Sequence, residues 1–114
     1  MLDDEAKRNL QRIREEAFKM WGQDCEFGNI DIVDSPYAEF ELPMRLYKRV
    51  EVGIYYDRST MDIGIKQEGD YVILGRFTEE EVFRGFEAMR PEVMRHNFQV
   101  LDTVVREMIR KGEV

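Results

Sequence analysis

Residues 46–66, LYKRVEVGIYYDRSTMDIGIK, decide the fold class. Apolar side chains recur there at every second position, the period of a strand with one face buried and one face wet. Leu46, Lys48, Val50, Val52, Ile54 and Tyr56 share one parity, and Tyr47, Arg49, Glu51, Gly53 and Tyr55 share the other. The pattern reads as one long strand from Leu46 to Tyr56, a turn at Asp57-Arg58-Ser59, and a second strand from Thr60 to Lys66. In that second strand Met61, Ile63 and Ile65 take the apolar side.

Working outward, Gln67-Glu68-Gly69-Asp70 has the composition of a tight hairpin loop. Tyr71 to Phe77 follows as a last strand, apolar on both faces. Upstream, Tyr37 to Leu42 alternates, with Ala38, Phe40 and Leu42 opposite Tyr37, Glu39 and Glu41. Pro43 reads as the end of that strand, because proline has no N–H to give a ladder. A strand over about Glu26 to Val33 precedes the turn signal Asp34-Ser35-Pro36.

On both sides of this block the period changes to three and four. Leu2, Ala6, Leu10, Ile13, Ala17 and Met20 form one stripe, with Phe18 and Trp21 widening its end and Gly22 closing it. This is the signature of an amphipathic helix. Thr78 and Glu81 fit a capping box ahead of a stripe of Val82, Phe83, Phe86 and Met89. Pro91 suits the first position of a further helix running to about Arg110, with Met94, Phe98, Leu101, Val105 and Met108 in line. The expected fold is therefore α+β: an N-terminal helix, an antiparallel sheet of about five strands and two C-terminal helices. Clean alternation leaves one sheet face for the helices to cover, giving two layers.

A chain of 114 residues is the size of one domain, 1–114, able to build its own core. Its net charge of −7, from 17 basic against 24 acidic residues, repels nucleic acid and anionic lipid. The same charge favours a basic protein partner. A single cysteine, Cys25, rules out an internal disulfide and suits a reducing compartment. No signal-like or membrane-length apolar run is present, so a cytoplasmic location is expected.

No set of residues specifies a reaction. A catalytic Cys25 would need a base beside it, and the one histidine, His96, lies far along the chain. Glu39 and Glu41 stand about 7 Å apart on one strand face, a spacing seen in glycoside chemistry. Any wet strand in an acidic chain produces the same pair. Metal-ligand spacings are missing, and the glycines are scattered rather than gathered ahead of a helix. The expectation is a non-enzyme with no catalytic residue, no metal and no cofactor.

The wet sheet face carries the functional expectation. Tyr37, Glu39 and Glu41 on one strand, and Tyr47, Arg49, Glu51 and Tyr55 on its neighbour, combine the residue types enriched where proteins grip one another. The chain reads as a small acidic interaction module for a basic protein. Immunity proteins and antitoxins that occupy basic toxins, and acidic secretion chaperones, are similar to it in size, charge and element order. Its unbroken strand block departs from the chaperone order, which places a helix between strands. The alternative is a small-molecule or enzymatic domain with a pocket between sheet and helices, lined by Trp21, Phe40, Met61, Phe83, Phe86, Met89 and Phe98. A homodimer through the last helix or an edge strand is a third reading.

Overall fold

The stretch read as one long strand folds back on itself. In the computed structural model, which describes residues 2–33 and 38–114, β3 (Glu39–Leu46) and β4 (Val50–Asp57) form a hairpin around residues 47–49. Tyr47 and Lys48 take left-handed backbone angles, φ 54° and 59°, with no glycine to announce them. The three-residue loop sets Leu46 opposite Val50, so both keep the same parity and face. Alternation therefore runs through the turn without a break, and the period alone does not reveal it.

The remaining elements are α1 (Asp4–Trp21), β1 (Cys25–Phe27), β2 (Asp31–Ile32), β5 (Thr60–Gln67), β6 (Asp70–Ile73) and α2 (Pro91–Arg110). The sheet is antiparallel in the order β1-β3-β4-β5-β6, with β2 also paired to β3. Two-residue turns at Arg58–Ser59 and Glu68–Gly69, all four residues at positive φ, join β4 to β5 and β5 to β6. Such turns match the twist of the strands they connect.

Pro43 lies inside β3 rather than at its end. Its carbonyl accepts from the Gly28 N–H at 2.9 Å. A strand residue points its N–H and C=O the same way, so the missing donor of Pro43 faces residues 28–30, between β1 and β2. The expected strand over Glu26–Val33 is split at that point. A Cβ on Gly28 would come within 2.9 Å of the Pro43 ring, so only glycine lets the chain pass there without a shift.

Among the described residues there are two α-helices where three were expected. Thr78 does take the Glu80 N–H on its hydroxyl at 3.0 Å, but no helix follows. Phe86–Met89 forms only a short 3-10 turn. Tertiary bonds hold the segment open. The buried Asn97 side chain accepts from the Phe83 N–H at 3.0 Å and donates to the Phe83 C=O at 2.8 Å. Gly85, at φ 75°, accepts from the Met61 N–H at the edge of β5. A helix would need those same backbone groups. The last expected strand is likewise shorter, ending at Ile73 before a 3-10 turn at Leu74–Arg76.

Burial follows the alternation. Phe40, Leu42, Met44, Leu46, Val50, Val52, Ile54, Tyr56, Met61, Ile63 and Ile65 are buried on one parity. They share one hydrophobic cluster with Ala6, Ile13, Ala17 and Trp21 of α1 and with Met94, Phe98, Leu101, Val105 and Met108 of α2. Phe18, expected to widen the α1 stripe, is 65% exposed. Glu16, on the opposite flank of the stripe, is buried instead, held by Arg95 at 2.9 Å. Trp21 packs against Phe98 and donates to Asp102 at 2.9 Å. Glu16 with Arg95 and Trp21 with Asp102 rise in step, so α1 and α2 run parallel. No helix of the described residues is long and apolar enough to cross a membrane.

Candidate functional site

The second parity of the strands forms the exposed sheet face, and its register arranges it in rows. One row runs Asp31–Glu41–Tyr55–Asp62 across β2, β3, β4 and β5. The next toward the strand centres runs Pro43–Gly53–Gly64–Ile73. Beyond it lie Glu26, Arg45 and Glu51, with Lys66 opposite Tyr71. On the outer side of the acidic row, Glu39 faces Asp57.

The rows differ in how their charges are met. Glu51 is shared by Arg45 at 3.5 Å and Lys66 at 3.6 Å. Asp62 is held by Arg84 at 2.6 Å, and Asp57 by Arg58 at 2.9 Å. Glu39 accepts the Tyr55 hydroxyl at 3.0 Å, and that bond to a carboxylate, followed by burial, pushes the phenol pKa up. Asp31 and Glu41 make no ion pair or hydrogen bond among the described residues, although they stand directly opposite each other. Like charges placed so destabilise a sheet.

The glycine row is a bare strip of backbone with Tyr71 lying across it. A Cβ on Gly53 would come within 2.8 Å of the Tyr71 ring, and one on Gly64 within 3.1 Å of the Tyr71 Cβ. Tyr71 divides two hollows. One, of about 320 Å³, is lined by Glu26, Pro43, Arg45, Glu51 and Lys66. The other, of about 280 Å³, lies over Gly53 and Gly64 between Glu41, Tyr55, Asp62 and Ile73. Burial first, and then the nearby charge of Glu41, push the Tyr71 phenol up.

Of the residues expected to bind a partner, Glu39, Glu41, Glu51 and Tyr55 do share this face. Tyr37 falls outside the described residues. Tyr47 and Arg49 do not belong to the face, because the hairpin carries them to its tip. The Tyr47 hydroxyl donates to Asp102 on α2, and the Arg106 guanidinium lies 5.1 Å from the ring centre. Arg49 reaches the Val114 carbonyl at 3.4 Å. Lys48, expected on the buried side, is exposed in the same turn. Asp102 thus gathers Tyr47, Trp21 and Arg106. Its partial burial alone would raise its pKa, but the hydrogen bonds from Tyr47, Trp21 and Arg106 outweigh this and hold the carboxyl below the usual range.

Tyr71, Asp62, Arg84 and Asp31, with Glu26, Arg45 and Lys66, are members of the face that the sequence reading did not single out. Cys25 is half-buried beside Met44, and desolvation, with the charge of Glu26, lifts its thiol to about 11. His96 bonds the Glu81 carbonyl at 2.7 Å. The chain matches no protein-family model, no curated protein and no solved structure.

Proposed function

We propose that this chain is a protein-binding module whose exposed sheet face receives a basic partner, while its two helices cover the other face in a two-layer slab. The observation that carries this reading is the row Asp31–Glu41–Tyr55–Asp62. It keeps two carboxylates opposed and unneutralised on a face that also displays two tyrosines. A like-charge pair kept opposed on an exposed sheet face departs from what stability alone favours, and such departures are expected at functional surfaces. A cationic partner removes the repulsion and brings its own charge to the place where it is wanted. The apolar arc of α2 supports the choice of the sheet over the helix, since Met94, Phe98, Val100, Leu101, Val104, Val105 and Met108 are all buried within this chain.

The test is retention of protein from an extract of the source cell on the immobilised chain, at low and high salt. A basic protein is expected to bind at low salt and elute as salt screens the charges. The Glu39→Lys/Glu41→Lys variant should lose it, and the Glu15→Lys/Glu107→Lys control on the helices should keep it. Equal retention by both variants overturns the reading.

A further inference from the structure

The hollow over Gly53 and Gly64 has the chemistry of a seat for one flat cation. Its floor is backbone, because neither glycine carries a Cβ. Tyr55 and Tyr71 both line it, and each is about two-fifths exposed. Phenol rings attract cations, and arginine most often fills that role. Of the two carboxylates at its edge, Asp62 is already held by Arg84. Glu41 is half-buried and makes no ion pair or hydrogen bond among the described residues. One uncompensated negative charge is left beside two phenol rings.

Size and ligand count narrow the occupant. At about 280 Å³ the hollow falls just below the ~300–1,000 Å³ of clefts that hold small-molecule ligands, but has room for one extended side chain. A calcium or magnesium ion would want about six oxygen ligands. No group of three or more acidic, histidine or cysteine residues suited to a metal occurs among the described residues. A guanidinium is planar and weakly hydrated, stacks on aromatic faces and forks onto a carboxylate; an ammonium does none of these as well. Arg84 on Asp62 already shows the row accepting one guanidinium from within the chain.

We propose that this hollow seats a single arginine side chain of the basic partner, stacked against Tyr55 and Tyr71 and paired with Glu41. The proposal rests on the reading of the exposed sheet face as the binding surface and names its central contact.

Two probes test it, read by amide chemical shifts of the ¹⁵N-labelled chain. The first is the blocked tripeptide acetyl-Gly-Arg-Gly-amide, with lysine and neutral citrulline in place of arginine as comparisons. The second is an eight-residue peptide of alternating arginine and glycine. The arginine tripeptide should move the Gly53, Gly64 and Tyr71 amides, the lysine form less, and the citrulline form not at all. Glu41→Gln should weaken the arginine tripeptide about tenfold, the loss of one charge-assisted contact. Tyr55→Leu, at an exposed position that leaves the core intact, should weaken it as well. If the long peptide shifts β3–β5 but neither substitution changes either affinity, the seat is wrong and the wider face reading survives. If the peptides bind along α1 and α2, or not at all, both are wrong.

Discussion

Replacing Asp102 by alanine should unfold the chain at markedly lower denaturant, because one carboxylate holds three elements together. Asp102 accepts the Trp21 indole N–H at 2.9 Å and the Tyr47 hydroxyl. Trp21 is only 5% exposed, so its N–H finds no water once the carboxylate is gone. A buried donor left unpaired costs ~1–3 kcal/mol. The Tyr47 hydroxyl is half-buried and turns partly to solvent, losing ~0.5–1.5 kcal/mol, the net worth of an ordinary hydrogen bond. Arg106 is exposed and adds nothing to the sum. The total is about 1.5–4.5 kcal/mol, a large share of the 5–15 kcal/mol typical of a whole domain. Urea titration at neutral pH should show a lower midpoint with an unchanged slope, the mark of lost stability rather than a changed unfolded state. Asp102→Asn keeps one acceptor oxygen and should lose less. A loss below about 0.5 kcal/mol in the alanine variant, the size of an ordinary surface change, would refute the account of Tyr47 as a structural tether.

Asn97→Ala should release Phe83 and cost about 1–3 kcal/mol; unchanged hydrogen exchange at the Phe83 amide would contradict this. Gly53→Ala should push the Tyr71 ring off the sheet, seen as lost ring-current shifts at Gly64, with a stability change within about 1 kcal/mol; unaltered Gly64 signals would show the ring lies elsewhere. Glu16 and Asp102 both have lowered carboxyl pKa values, Glu16 chiefly through its hydrogen bond from Arg95 and Asp102 through donors that overcome its burial. Each therefore contributes stability above the ordinary carboxylate range that is lost as pH falls through its lowered native value. Unfolding free energy should drop between neutral pH and pH 3, and less steeply in Asp102→Asn; equal slopes in the two proteins would remove Asp102 from the account. With its thiol lifted to about 11, folded Cys25 should alkylate far more slowly at neutral pH than in the urea-unfolded chain; similar rates would show an accessible thiolate.

Much of this was legible from period alone. Val50, Val52, Ile54 and Tyr56 are buried as alternation requires, and Glu51 and Tyr55 are exposed opposite them. The α+β order and the two long helices also follow from spacing. What failed has local causes. Tyr47 and Lys48 adopt a left-handed turn that larger side chains seldom enter, and the odd loop length preserves parity, so neither composition nor period marks the hairpin. The helix signal at Thr78–Met89 is real but local; Asn97, fourteen residues further along the chain from Phe83, overrules it. The glycine strip was within reach. Once Arg58–Ser59 is recognised as a two-residue loop, Gly53 must face Gly64 and Tyr55 must face Asp62. Tyr71 and Arg84 join the face through β6 and the Gly85 bridge, whose registers no pattern in the chain announces.

The parallel pairing of α1 with α2 has a consequence for how the protein is made. Trp21 meets Asp102 across 81 positions of chain, and Glu16 meets Arg95 across 79. At a bacterial or eukaryotic elongation rate of about 5–20 residues per second, the first helix emerges on the order of ten seconds before the second. Through that interval its oily stripe waits for a partner helix that is still untranslated. Docking of the first helix in its final place must therefore await synthesis of α2.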